Sequence, residues 1–469
     1  MRRALLSLYH RMPPTARGWA ASIRGWQLRR LRYGPESEAL VQAALERDYW
    51  PADRWRDWVE RNLEATLDRA RRLVPHYRRI WDETRSNATD PERSLSQWPI
   101  LEKSSLRAAR RQFLADDFQS RRLVEDHTSG TSGTPLHLWF DPNTIRNWFA
   151  LYEARCRRWH GVSRFDAWAN IGGQLVVPVR REKPPYWVWN AALNQLYLSS
   201  YHLRRDALPA YLDALEHYRV KFLLGYTSSL YELAVGCLES GRTPPALSVV
   251  LTNAEPLNDR QRRAITEAFR CPVRETYGMS EMATNASECD AGRLHLWPEV
   301  GLTEVVDGDA AVEPGEVGDL LLTGLLNPAM PLIRYRVGDR GCLADPEERC
   351  PCGRTLPILK HVEGRSDDVL ITPDGRRVGR LDPVFKSDFQ IAEAQILQTA
   401  PDRLTVKYVP ASGFEVGELD DLTQRLRDRL GDMTIQYERV DRIPRGANGK
   451  FRAVVNAMTP DAGHVTSPG

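Results

Sequence analysis

Short apolar runs alternate with amphipathic helical stretches through the middle of this chain, and that alternation limits the folds it can take. The runs Trp168–Ile171, Phe222–Leu224, Val249–Thr252, Val273–Thr276 and Asp319–Thr323 read as strands. Helical periodicity fills intervals such as Tyr226–Glu239 and Asp259–Phe269. Such alternation predicts an α/β fold, with helices layered on a sheet. A chain of 469 residues exceeds one ordinary core and implies at least two domains.

A charged stretch rich in Pro and Gly, from Asp345 to Gly375, precedes a smaller α+β unit. That unit has strand-like Gln395–Leu397 and Leu404–Val409 and a helix over Glu418–Leu430. We therefore expect a large domain over 1–366 and a small mobile one over 367–469. Apolar spacing through Leu40, Trp55, Val59, Leu63 and Leu67 predicts a helical segment within residues 1–85.

Net charge is only +3, from 65 Lys and Arg against 62 Asp and Glu, which argues against bulk nucleic-acid binding. Seven cysteines are too few for a disulfide scaffold and suit a reducing compartment. No apolar run approaches the roughly 18 residues of a membrane span, so we expect a soluble, cytoplasmic protein. The first 35 residues interleave Arg and Trp with apolar positions. They read either as a surface helix with a solvated basic face or as a helix that rests on a membrane or partner.

The chemistry-bearing motifs come in a fixed order. His127-Thr128-Ser129-Gly130-Thr131-Ser132-Gly133-Thr134-Pro135 is a hydroxyl- and glycine-rich loop without the Walker A ending. Its backbone N–H groups and hydroxyls suit phosphate oxygens. Asn253-Ala254-Glu255-Pro256 and Tyr277-Gly278-Met279-Ser280-Glu281 each follow a predicted strand. Then come Arg334-Tyr335-Arg336-Val337-Gly338-Asp339, Gly364-Arg365-Ser366-Asp367-Asp368 and Pro444-Arg445-Gly446-Ala447-Asn448-Gly449-Lys450.

This set, in this order, resembles the adenylate-forming superfamily of acyl-CoA ligases, adenylation domains and luciferases. Its SGTSGTP, MPLIRYRVGD and CPCGR segments are most similar to the phenylacetate-CoA ligase and CapK-like branch. The resemblance implies activation of a carboxylic acid by ATP and Mg²⁺ to an acyl-AMP, then transfer to a thiol, either coenzyme A or a separate carrier protein. An amine acceptor, or an inactive nucleotide-binding regulator or scaffold, are the rival readings. By resemblance, Ser129, Gly130, Thr131, Ser132, Gly133 and Thr134 hold the β- and γ-phosphates. Ser280 bonds the α-phosphate and Glu281 holds Mg²⁺. Ala254 and Glu255 lie along the adenine with Tyr277 packing near its ring, and Pro256 and Gly278 belong to the same nucleotide site. Asp339 takes the ribose hydroxyls, Arg365 the ribose or phosphate, and Lys450 stabilises charge at the reacting centre. Asp367 matches the pivot about which the small domain turns.

In one departure, the lysine that many members carry beside the loop proline is replaced by Thr134 and Leu136. Acid-pocket residues are expected within Asn170–Gly173, Gly225–Ser228 and Asn253–Ala254. Tyr186, Trp187, Trp189 and Tyr197 suggest an aryl or medium-sized acid if they face it, and ordinary core if they do not. Cys289, His295, Cys350 and Cys352 supply three thiols and an imidazole, the donor set of a closed structural zinc site, with Cys342 as a substitute ligand.

Overall fold

The computed structural model describes residues 8–84, 95–127, 136–178, 181–203, 205–365, 370–373, 377–378, 390–444 and 451–458. The glycine-rich loop from Thr128 to Pro135, the Asp367 pivot and Lys450 lie outside the described residues. For Arg365 only the strand position is described.

Thirteen strands form one sheet. In chain order these are β1 Trp168–Gly172, β2 Trp187–Asn190, β3 Gln195–Ser199, β4 Phe222–Tyr226, β5 Val249–Asn253, β6 Val273–Gly278 and β7 Asn285–Glu288. There follow β8 Leu294–Leu296, β9 Gly301–Asp307, β10 Ala310–Ala311, β11 Gly318–Gly324, β12 Tyr335–Leu343 and β13 Ile358–Arg365. Their spatial order is β10-β9-β11-β12-β13-β8-β7-β6-β5-β4-β1-β3-β2.

The stretch β3-β1-β4-β5-β6 is parallel, and the remaining pairings are antiparallel. Parallel strands are covered on both faces and so read as near-continuous apolar runs. Here Leu223 and Val250 pack with the helices Leu208–His217, Thr227–Ser240 and Asp259–Phe269. Their neighbours Phe222, Val249 and Leu251 face the other way, onto Val41, Ala44, Leu151 and Trp297. That alternation of faces fixes the register of the block.

The smaller C-terminal sheet has β14 Ile391–Ala400, β15 Arg403–Pro410, β16 Thr434–Arg439 and β17 Val454–Asn456, in the order β16-β15-β14-β17. Helix Glu418–Leu430 presents Leu422, Leu426 and Leu430 at four-residue spacing to Ile396, Leu404 and Val406. The architecture is thus α/β, with a large sheet-rich domain and a smaller C-terminal sheet domain.

The helices of residues 14–84 are bound into the large domain by a buried ionic network. The Arg155 guanidinium, fully buried, donates to Asp48 at 2.9 Å and to both oxygens of Glu299 at 2.7 and 2.9 Å. Arg47 donates to Glu299 at 2.7 Å, and the Trp159 indole to Asp48 at 2.7 Å. Burial still pushes the Asp48 carboxyl above its ordinary range. Removing one partner strands the others in a dry interior. Arg155→Met should therefore cost about 3–5 kcal/mol of unfolding free energy, read by urea titration. A loss below about 1 kcal/mol would contradict this account.

Burial also holds His76, against Phe113, and His160 near 4, below the ordinary 6.5. Both imidazoles are neutral in the fold, while the unfolded chain protonates them first as pH falls. Their contribution is intact above about 6.5 and is lost as pH drops from there toward 4. Unfolding free energy should decline through that window. His76→Gln with His160→Gln should make the decline shallower, and an unchanged slope would refute the assignment.

Candidate active site and metal cluster

The five parallel strands point their carboxyl ends the same way. In open α/β sheets ligands bind at that edge. There β1 ends at Gly172, β4 at Tyr226, β5 at Asn253 and β6 at Gly278, so the expected pocket and nucleotide segments emerge side by side. Ser200 Oγ donates to the Gly172 carbonyl and Tyr201 Oη to that of Gly173, tying down the turn after β1.

After β5 the chain turns through Ala254 at φ 64°, the left-handed region. The Glu255 carboxylate then accepts from the Ser228 N–H at 2.7 Å and the Ser228 hydroxyl at 3.1 Å, at the start of helix Thr227–Ser240. A carboxylate at a helix N-terminus meets unpaired N–H groups and the positive end of the dipole. The same carboxylate accepts from the Phe451 N–H of the C-terminal unit at 2.8 Å. Glu255 thus joins the two units, and Phe451 follows Lys450 in sequence. Pro256 is exposed beside it.

Near the end of β6, the Tyr277 hydroxyl donates to Asp339 Oδ2 at 2.7 Å. Asp339 on β12 lies directly opposite Arg365 on β13. Gly278 lies against Asn285, whose amide nitrogen would stand 2.1 Å from an added Cβ. Ser280 is exposed at the mouth of this edge, and Glu281 is buried.

Glu281 Oε1 accepts from the Tyr335 hydroxyl at 2.9 Å and from Lys103 Nζ at 3.3 Å. Among the described residues both of these contacts fall on one oxygen. Lys103 arrives because Leu101 pairs with β12: its N–H donates to the Arg334 carbonyl and its own carbonyl accepts from the Arg336 N–H, both at 3.0 Å. Nothing local in Pro99-Ile100-Leu101-Glu102-Lys103 marks that lysine in the sequence. Leu136, at one of the two positions where lysine was expected, is buried in the core with Leu138 and Phe140.

The aromatic candidates all join packed clusters, Trp187 with Tyr186 and Trp189 in one and Tyr197 in another. Tyr186 is buried and stacks on His202 and Tyr211, and Trp189 stacks on Tyr218; these rings belong to packing. Cys156, Cys237 and Cys271 are likewise buried in the core.

The other four donors meet. Ligand atoms of Cys289, His295, Cys350 and Cys352 all lie within 4.8 Å of one another. Cys289 Sγ is 3.6 Å from Cys350 Sγ, and Cys352 Sγ is 3.4 Å from His295 Nε2. A tetrahedron with Zn–S bonds of about 2.3 Å has S···S edges of about 3.8 Å. His295 Nδ1 lies 3.0 Å from the Leu356 carbonyl, so the Nδ1–H tautomer leaves Nε2 toward the thiols. Burial holds that imidazole neutral, near 4, the form a metal requires. Burial raises the Cys289 and Cys350 thiols. Cys342 stands apart, donating to the Leu343 carbonyl.

Comparison with known proteins gives consistent findings. Residues 370–457 match the CapK C-terminal domain family. Protein CapK of Staphylococcus aureus is 26% identical over 374 residues, covering 77% of this chain and 80% of that protein. A phenylacetate-coenzyme A ligase of Escherichia coli (strain K12) is 28% identical over 418 residues, covering 85% and 88%. Among solved structures, 2-hydroxyisobutyryl-CoA ligase in its postadenylation state with R3-HIB-AMP aligns at a TM-score of 0.68 and 19% identity, over 87% of this chain and 91% of that one. The same ligase in its thioesterification state, with 2-HIB-AMP and CoA, aligns at 0.54 and 18% identity with the same coverage. The chain is accordingly a homologue of CapK and the phenylacetate-CoA ligases, with the fold of the adenylate-forming enzymes and a C-terminal domain of the CapK type.

Proposed function

We propose that this chain activates a carboxylic acid with ATP and transfers the acyl group to a thiol, coenzyme A being the acceptor its ligase relatives are named for. The observation that carries the reading is the convergence at one sheet edge. Tyr277 bonds Asp339, Arg365 faces Asp339 across the strand pair, and the backbone after Lys450 bonds Glu255.

In the first step a carboxylate oxygen bonds to the α-phosphorus, the α–β anhydride breaks, and pyrophosphate leaves. In the second a thiolate bonds to the acyl carbon and AMP leaves with the mixed-anhydride oxygen. Positioning and charge neutralisation do most of this work. Asp339 takes the ribose hydroxyls, held in place by the Tyr277 hydroxyl. Ser280 and the hydroxyls of Ser129, Thr131, Ser132 and Thr134 meet the phosphates. Glu281 suits Mg²⁺, a hard cation that neutralises phosphate charge when bound. Lys103, paired with Glu281, supplies near the phosphates the positive charge that the glycine-rich loop lacks. Lys450 stabilises charge at the reacting centre, and the small domain turns about Asp367 before transfer.

Pyrophosphate release across a panel of aryl, fatty and sugar-derived acids tests this. We expect release with one class of acid, abolished by Lys450→Ala, and AMP release that then depends on coenzyme A. AMP release that depends instead on an amine would assign an amide ligase, and no pyrophosphate with any acid despite ATP binding would support a regulator. Lys103→Ala should lower kcat/KM for ATP about 10²-fold, read at a temperature well below the variant's thermal transition, as for loss of one preorganised charge-stabilising donor. Full activity in that variant would remove Lys103 from the site.

We further propose that Cys289, His295, Cys350 and Cys352 hold a structural Zn²⁺. All four positions of the tetrahedron are filled by protein, leaving no open one for catalysis. Metal analysis should find one zinc per chain, lost together with thermal stability in Cys350→Ser. A metal-free protein whose melting is unmoved by added zinc would refute this.

A further inference from the structure

Helix Pro14–Arg32 packs one side against the edge of the large sheet and leaves the other bare. Its docked side is set by Gly25, where an added Cβ would stand 2.0 Å from the Asn190 side chain, and by Arg17, which is fully buried. The Ser22 hydroxyl accepts from the Ala191 N–H at 3.0 Å on the same side. The opposite face carries Trp19, Ile23 and Trp26, at the i, i+4, i+7 spacing of one helical stripe. They are 74%, 62% and 54% exposed. Three large apolar side chains in a row on a free helix face are an interaction surface rather than scattered surface hydrophobics.

The charge around that stripe points to its occupant. The helix contains Arg17, Arg24, Arg29, Arg30 and Arg32 and no acidic residue. Among the described residues no carboxylate pairs with Arg24, Arg29, Arg30 or Arg32, and Arg24, Arg29 and Arg30 are exposed. Arg30 lies over the Trp26 ring at 4.4 Å, holding charge and aromatic surface together. Arg29 and Arg32 also line a crevice of about 50 Å³ with Arg157, Arg164 and the exposed Phe165. Arg157 and Arg164 there face Glu153 and Glu38, so the unbalanced cations are those of the helix. A twofold pairing of this face with itself would set these arginines against their own copies. The complementary surface is anionic and offers apolar depth for indole rings.

We infer that this helix docks the protein on an anionic lipid surface, with Trp19, Ile23 and Trp26 entering the headgroup boundary and Arg24, Arg29 and Arg30 on lipid phosphates. Interfacial helices pair apolar burial with basic flanks, and Trp is favoured at that depth. The inference is independent of the proposed ligase activity.

Flotation of the full chain with phosphatidylcholine vesicles, with and without phosphatidylglycerol, tests it. Binding is expected only to the vesicles that contain phosphatidylglycerol, falling as salt is raised. Trp19→Ser with Trp26→Ser should weaken it at least about tenfold, as should Arg29→Glu with Arg30→Glu, each with an unchanged thermal transition. No binding at low salt, or equal binding by wild type and variants, would overturn the inference. Concentration-dependent dimerisation abolished by the tryptophan variant, without vesicle binding, would assign the face to a second copy instead. Capture of an acidic polypeptide but not of vesicles would assign it to a protein partner.

Discussion

The buried Arg155 guanidinium is the contact on which the rest of the large domain depends. One cation satisfies two carboxylates from segments far apart in sequence, Asp48 at the C-terminal end of helix Ser37–Arg47 and Glu299 before β9. The backbone around Asp48 is used as well: its carbonyl accepts from the Thr355 N–H, and the Thr355 hydroxyl also reaches the Trp50 carbonyl. Thr355 directly follows the segment with Cys350 and Cys352, so the network and the four-donor cluster brace the same loop. An ionic network in a dry interior adds little net stability, since desolvation consumes most of the attraction. It tolerates no alternative partner, however, and so it specifies where the helical segment must dock.

From that frame the edge of the parallel block gains its order. Each strand ends in a segment whose side chains are held by a neighbour: Ser200 and Tyr201 on the turn after β1, Ser228 on Glu255, Tyr277 on Asp339, and Tyr335 with Lys103 on Glu281. Groups locked by hydrogen bonds before a ligand arrives need little reorganisation when charge develops. The edge therefore combines a rigid floor with a contact from the other domain, Phe451 on Glu255, and nearby Arg260 donates to the Ile391 carbonyl of that domain.

Much of this was legible in the sequence, and what was not has a physical reason. Four of the five parallel strands, β1, β4, β5 and β6, stand within two residues of their expected bounds, while β3 was not expected; β4 and β5 were legible because burial on both faces leaves an apolar run. Helices Asp259–Phe269 and Glu418–Leu430 fall where their periodicity placed them. The cysteine–histidine cluster was legible because its donors are scarce residue types. Arg155 was not: its partners lie 107 and 144 residues away, and it is one basic residue among many. Lys103 was hidden for the same reason, since only the pairing of Leu101 with β12 brings it to Glu281. The opposition of Asp339 and Arg365 depends on a register broken by irregularities within the β12–β13 pair, which no period in the sequence encodes. The interleaved Arg and Trp of the first helix announced an unusual surface, but which face stays bare is decided by a glycine against Asn190.

The C-terminal strand β17 pairs in parallel with β14, the Ala453 carbonyl accepts from the Ile396 N–H, and the Arg452 carbonyl accepts from Gln395, each of these two bonds at 2.8 Å. The chain at Phe451 is thereby stitched onto the edge of the small sheet, beside β14, and behaves as part of a stiff lever rather than as a tail. Any swing of that sheet withdraws the Phe451 N–H from Glu255 in one piece, while the Ser228 bonds to the same carboxylate stay behind. If the small domain turns as proposed, the Glu255–Phe451 bond is a latch with two settings, made or broken with the orientation of the whole domain.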